Sequence, residues 1–246
     1  MTLGIVGDNS VADRIRETAE DAGETVAHRP ASDLLAENPE TVVAVGESAL
    51  LAVVREEVRA PVLPVAVGDG FGGVPEESAV RGVERLLAGE FDTTARTLLD
   101  VSVGDERVGP ALADVTLVTT EPARISEYAV QSRGERVSRF RADGVVVSTP
   151  TGSHGYGRSA GGPLLEPATG VVAVVPVAPF AVDVDHWVLS TDDPVTLTVE
   201  RDEGEVSLLL DDRAERTVRP HTPVEVTAGD PLTLVRVAES RPFFER

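Results

Sequence analysis

Hydrophobic residues change their spacing once along this chain, near Thr97, and that change limits the fold more than any other feature. Upstream, apolar runs of strand length alternate with helical segments. Leu3 to Gly7 reads as a first strand, and Ser10 can cap a helix whose apolar positions Val11, Ile15, Ala19 and Ala22 recur at helical spacing before Gly23. Thr25 to Ala27, Thr41 to Val45 and Val62 to Val67 supply three more strands, while Ala49 to Val58 and Glu76 to Leu87 read as helices. Strands alternating with helices imply a parallel sheet covered on both faces. Downstream, strand follows strand with glycine turns and no convincing helix, as in Leu99 to Val103 before Gly104-Asp105, or around Ser132-Arg133-Gly134. Val195 to Val199, Asp202-Glu203-Gly204 and Val206 to Leu210 read as a hairpin. The predicted fold is an α/β, Rossmann-like N-terminal domain over 1–94 and an all-β C-terminal domain over 95–236, with the tail 237–246 packing back on the first.

Composition then removes whole classes of function. All 22 basic residues are arginine, against 42 acidic ones, for a formal net charge of −20. Without lysine there is no P-loop lysine, no Schiff base and no lysine general base, which excludes Walker-type ATPases, protein kinases and pyridoxal enzymes. A surface this acidic repels nucleic acid phosphates and anionic membranes, so neither is an expected partner. The densest arginine run, Arg133 to Arg141, holds four arginines in nine residues, but Glu135 and the alternation around Val137 make it the solvated face of a strand. Strong acidity without lysine fits a salt-rich cytoplasm, where screening weakens self-repulsion. The absence of cysteine excludes disulfides, thiolate nucleophiles and cysteine-bound metals. Met1 to Gly7 reads as a strand and not as a signal peptide. The longest apolar run, Val171 to Val182, is broken by Pro176 and Pro179 and is too short to span a bilayer. A cytoplasmic location is expected.

Three motifs carry chemistry. Gly68-Asp69-Gly70-Phe71-Gly72-Gly73 satisfies G-x-G-x-x-G between a strand and a helix opened by Pro75. A dinucleotide fingerprint opens the first βα unit, however, and an acid ends the next strand about twenty residues on. This one closes the fourth strand, and its Glu90 follows a helix, so it reads first as a flexible turn at the ligand-binding edge of the sheet. Val45-Gly46-Glu47-Ser48 ends a strand and starts a helix. Backbone amides around Gly46 and Ser48 can cradle phosphate there, and the Glu47 carboxylate can orient a hydroxyl or a magnesium ion. An ordinary N-cap by Glu47 or Ser48 explains the same residues.

The longest motif runs from Asp143-Gly144 through Ser148-Thr149-Pro150-Thr151-Gly152-Ser153-His154-Gly155-Tyr156 to Ser159-Ala160-Gly161-Gly162-Pro163. Its hydroxyls, glycines and tyrosine suit ribose, amide and base edges but offer no strong nucleophile. Ser153 beside His154 fails as a nucleophile elbow, because Thr151 stands where G-x-S-x-G needs its first glycine. Asp183-Val184-Asp185-His186 reads as a solvated loop and not as a metal site.

This stretch resembles the signature of the NAD kinase family: Asp-Gly, a hydrophobic run, Thr-Pro-Thr-Gly-Ser-Thr-Ala-Tyr, then Ser-x-Gly-Gly-Pro. The resemblance extends along the chain in order. Val45-Gly46-Glu47-Ser48-Ala49 falls where the family has Gly-Gly-Asp-Gly-Thr, and Gly68 to Val74 on its Gly-x-x-Gly-Phe-Leu loop. Ala113-Asp114 falls on Asn-Glu, Val175 to Pro179 on Pro-x-x-Pro-His, and Asp211 on a late aspartate. The resemblance implies transfer of phosphate from ATP or polyphosphate to the adenosine 2′-hydroxyl of NAD, with a divalent metal such as magnesium. It makes Glu47 and Asp211 the catalytic acids and Gly46 and Ser48 the phosphate cradle. Ala113, Asp114, Arg141, Asp143, Gly152, Ser153, His154, Gly155, Tyr156 and Ser159 become the NAD-binding set. NAD and ATP are the implied partners, together with a second copy of the chain in a homo-oligomer.

Departures from the family pattern cluster in the chemistry. Glu47 replaces an aspartate, Asp114 a glutamate and Ala113 an asparagine, while Val45, Ser48 and Ala49 replace two glycines and a threonine. Moving a carboxylate by about one ångström can cost roughly a hundredfold in rate, and phosphoryl transfer depends mainly on positioning and electrostatics. The sequence therefore leaves two expectations: an active NAD kinase with exchanged acids, or a degenerate paralogue that binds the nucleotide as a sensor or partner protein. A related kinase acting on lipid or sugar is disfavoured by Thr149 to Tyr156.

Overall fold

The computed structural model describes residues 2–244. They form two compact units, one running to Arg96 and resuming at Pro231, the other running from Thr97 to Asp230.

The first unit begins as β1 (Thr2–Val6), α1 (Ser10–Asp21), β2 (Thr25–His28), α2 (Ala31–Glu37), β3 (Thr41–Val45), α3 (Glu47–Arg55), β4 (Val62–Val65), α4 (Ala79–Leu87) and β5 (Asp92–Arg96). β1, β3 and β4 bury nearly every side chain, as strands covered on both faces must. The sheet order is β2-β1-β3-β4, then the late strand β18 (Leu232–Arg236), then β5. Pairing is parallel up to β18, and β5 closes the edge antiparallel. The core joins Leu3, Ile5, Val43 and Leu63 of the sheet to Ile15 of α1 and Val83 of α4.

The second unit comprises β6 (Leu99–Val103), β7 (Glu106–Ala111), β8 (Asp114–Thr119), β9 (Ser126–Ser132), β10 (Glu135–Ala142), β11 (Gly144–Ser148), β12 (Val171–Val177), β13 (Trp187–Ser190), β14 (Val195–Arg201), β15 (Val206–Leu210), β16 (Arg213–Thr217) and β17 (Val224–Ala228). They make two antiparallel sheets, β10-β9-β14-β17-β6-β7 and β13-β12-β11-β8-β15-β16. Alternate residues such as Val101, Val130, Leu197, Leu117, Val147 and Leu208 meet in one core between them.

Five expectations change in the structure. The cap of α1 is Asn9, whose side chain accepts from the Val11 and Ala12 amides at 3.0 Å each, so Ser10 is already helical. The short helix α2 had no periodic signal, because seven residues span too few turns to show one. Residues Leu232–Arg236, placed in the β-rich domain by the expected boundary at 236, instead form a strand that completes the first sheet. The expected hairpin is absent: β14 pairs with β9 and β17, whereas β15 pairs with β8 and β16. Both strands turn alternate apolar residues inward, and in two facing sheets that pattern fits a corner between sheets as well as a hairpin. Finally, the β-rich half does contain helix, a 3₁₀ turn at Gly152–His154 and α5 (Tyr156–Ser159), both too short for periodicity to reveal.

Candidate functional site

Each unit carries one cluster of the residues singled out by sequence. In the α/β unit, β3 ends at Val45 and the chain turns through Gly46 at φ 97° into α3. That left-handed angle favours glycine, which keeps the turn open. No side chain caps α3, and its first helical bond runs from the Leu50 amide to the Gly46 carbonyl at 3.1 Å. The amides of Glu47, Ser48 and Ala49 therefore lie ahead of the helical ladder, where the helix dipole is positive. Glu47 and Ser48 are exposed. Neither serves as the N-cap the sequence allowed. Glu47 instead lies against the glycine-rich loop after β4, its Oε2 only 3.1 Å from where a β-carbon on Gly68 would stand. A carboxylate, three leading amides and a glycine-rich loop thus share the carboxyl edge of this sheet, an arrangement suited to phosphate and to a hydroxyl that must lose its proton.

In the β-rich unit, Asp211 organises the entry to β8. It sits in the two-residue turn between β15 and β16 at φ 53°, a left-handed angle that aspartate tolerates. Its Oδ1 accepts from the Ala113 amide at 2.7 Å and the Asp114 amide at 3.1 Å, and its Oδ2 accepts from the Leu112 amide at 2.9 Å. In return the Asp211 amide donates to the Asp114 carbonyl at 2.9 Å. Burial pushes the Asp211 carboxyl up, while the three amide bonds pull it down. Both oxygens are engaged with backbone, so this carboxylate is a brace for the Ala113-Asp114 segment.

The Thr149 to Ser159 loop is fastened to the same segment. Thr149 donates its hydroxyl to the Leu112 carbonyl at 2.6 Å and its amide to the Ala113 carbonyl at 2.9 Å. Gly152 passes so close that a β-carbon there would overlap the Ala113 carbonyl oxygen. Gly152→Ala is accordingly expected to displace the loop and to destabilise the protein by about 1–3 kcal/mol, readable as a lower urea midpoint with an unchanged m-value. Ser153 is fully buried, donating to the Pro150 carbonyl at 2.6 Å and accepting from the Leu165 amide at 3.1 Å. Its hydroxyl holds the loop's shape and is free neither as a nucleophile nor as a ligand donor. The exposed residues of this loop are Gly155, Tyr156 and Ser159, with His154 half-buried.

Two acids act on the tyrosine of that loop. The Tyr156 hydroxyl is pushed up first by burial and then by the charges of Asp114 and Asp143, which places all three in one electrostatic neighbourhood. Asp114 is buried and takes a hydrogen bond from the Thr116 hydroxyl at 3.2 Å, whereas Asp143 is exposed. Arg141 does not join them. Its Nη2 bonds Glu203 at 2.8 Å and its guanidinium lies over Phe180, 5.8 Å from the ring centroid. Sequence reasoning missed the work of Thr149, whose partners lie 36 and 37 residues away. It also missed the buried Thr119, Ser126 and Tyr128 hydroxyl network behind Asp143. Nothing in a single sequence marks contacts at such separations.

The comparisons agree with this architecture. Residues 112–236 match the family described as the ATP-NAD kinase C-terminal domain. An NAD kinase of Methanosarcina acetivorans is 32% identical over 212 residues, covering 84% of this chain and 76% of that protein. An NAD kinase of Chlorobium limicola is 31% identical over 206 residues, covering 81% and 71% respectively. The fold matches the crystal structure of an Archaeoglobus fulgidus NAD kinase in complex with ATP, with a TM-score of 0.82 at 22% identity over 97% of this chain and 95% of that one. It also matches yeast NADH kinase complexed with NADH, with a TM-score of 0.81 at 16% identity over 96% and 83%. From the signature around Thr149 to the extent of these likenesses, the observations converge: this chain belongs to the NAD kinase family.

Proposed function

We propose that this protein is an active NAD kinase that moves a phosphate from ATP, or from polyphosphate, onto the adenosine 2′-hydroxyl of NAD. The observation that supports the reading best is the exposed Glu47 carboxylate at the uncapped start of α3, against the Gly68 loop. The leading amides of α3 hold phosphate oxygens, and Glu47 draws the proton from the 2′-hydroxyl as that oxygen attacks phosphorus. The bond from phosphorus to the bridging oxygen breaks, ADP leaves, and the proton passes from Glu47 to solvent. Asp114 receives the ribose hydroxyls, Tyr156 offers a face to the base, and Asp143 meets the nicotinamide end. Asp211 acts only through the segment it braces.

The donor set suits a magnesium ion held mostly by the substrates. Among the described residues no three His, Asp or Glu side chains are grouped to hold an ion, whereas magnesium on nucleotides is held by phosphates and water with one or two carboxylates. Glu47 is the carboxylate at hand, and such an ion would offset the charge that phosphoryl transfer develops.

NADP formation by the purified protein at high salt, with magnesium, NAD and either ATP or polyphosphate, tests the proposal and identifies the donor. Failure with both donors while NAD still binds would instead make the chain a nucleotide-binding sensor. Among the described residues no helix is long and apolar enough to cross a membrane. We place the enzyme in the cytoplasm as a homo-oligomer, whose mass light scattering would give.

A further inference from the structure

Among the described residues, Arg96 is the one arginine that the fold buries, with 4% of its surface exposed. Among the described residues its Nε has no hydrogen-bond partner, and its guanidinium lies over the ring of Phe243, 5.4 Å from the ring centroid. Elsewhere arginines lie against carboxylates, as Arg16 does with Glu20, Arg107 with Asp100 and Arg139 with Glu127. In a chain with 42 acidic residues, carboxylates are not scarce. A guanidinium cannot shed its proton, and a buried charge without a partner is costly. The nearby charge of Arg236 raises that cost, and with burial it holds Arg96 below the usual arginine range.

Its neighbours are a glycine-rich loop and two further arginines. The Arg96 Nη2 lies 3.3 Å from where a β-carbon on Gly72 would stand, so the missing side chain of Gly72, at φ 70°, lets the guanidinium pack against the backbone of the loop. Beside it the Arg241 amide donates to the Gly73 carbonyl at 3.0 Å, and Arg236 Nη2 approaches the Arg241 carbonyl at 3.4 Å. Asp69 faces the Arg241 guanidinium at 3.9 Å, and Arg236 lines a hollow that also holds Glu90 and Asp92. Arg96, Arg236 and Arg241 thus gather at or beside the loop, in a molecule whose overall sign is negative.

We propose that Arg96 anchors a binding site for a phosphate-class oxyanion beneath the Gly68–Gly73 loop, distinct from the Glu47 turn. The planar guanidinium fork suits two oxygens of one tetrahedral anion, and the loop contributes close backbone in place of side chains. The occupant is either free phosphate or the phosphate of an ester. The site does not depend on the kinase reading, because it is argued from the buried Arg96 guanidinium, whose Nε is unpartnered among the described residues.

Isothermal titration of the full-length protein with inorganic phosphate, at fixed high potassium chloride, tests it. Saturable binding is expected, weakened at least tenfold in Arg96→Gln and largely retained in Glu47→Gln. Competition by ATP would identify an ester phosphate as the occupant, and its absence free phosphate. Equal phosphate affinity in Arg96→Gln and the unaltered protein overturns the proposal. Because that variant can fail to fold, crystals of the unaltered protein soaked in selenate give an independent reading. An anomalous peak within hydrogen-bond distance of Arg96 supports the site, and the lack of one there overturns it.

Discussion

Glu47→Gln is expected to lower kcat for NADP formation by about 10²- to 10⁴-fold, the usual worth of a positioned general base, while leaving the KM for NAD within a few-fold. The substitution keeps the size of the side chain and removes only its capacity to take a proton. Since Glu47 is exposed and does not cap α3, the folded state loses little, and the urea midpoint should stay where it is. Steady-state kinetics beside an unfolding curve check both halves. An unchanged rate would remove Glu47 from the chemistry and leave the α3 amides to explain the activity alone. Glu47→Asp asks a finer question, because it restores the family's own acid. The Gly68 contact shows the longer side chain reaching across to the neighbouring loop, so the shorter acid is expected to lose roughly a hundredfold by misplacement.

Asp211→Asn should act in the opposite sense, on stability before chemistry. Its carboxylate accepts from three consecutive amides, those of Leu112, Ala113 and Asp114. An asparagine turns one acceptor oxygen into a donor pointed at other donors, and an orphaned buried group costs about 1–3 kcal/mol. With three amides involved, the expected loss is about 3 kcal/mol, against a change within about 0.5 kcal/mol for Asp212→Ala at the exposed neighbour. Loosening the Ala113-Asp114 segment should also raise the KM for NAD more than it lowers kcat. A fall in kcat with stability and KM intact would return Asp211 to the reacting atoms as a catalytic acid.

These two acids show how far the sequence could be read. Both fall on acidic positions of a family motif, and nothing in their local sequence separates them. The exposed Glu47 stands at a helix start, while Asp211 is spent on backbone amides some 97 to 99 positions away. The same holds for Ser153 and Tyr156 three residues on: one hydroxyl is consumed within the loop, whereas the other side chain is exposed. Residue type announced the loop, but burial assigned the roles within it.

The sequence alone determined the division into an α/β part and a β-rich part, because a period of two and a helical period are local properties that each segment carries with it. It also determined the family, through motifs whose spacing is linear. Tertiary structure alone decided that β14 and β15 part into different sheets and that Leu232–Arg236 returns to the first sheet. It also decided that Arg96 is buried with its Nε unpartnered among the described residues, while Asp211 braces β8. Those outcomes depend on which distant segment supplies the partner. Alternation tells a strand only which face to bury, so the identity of its neighbour is fixed when the whole core closes.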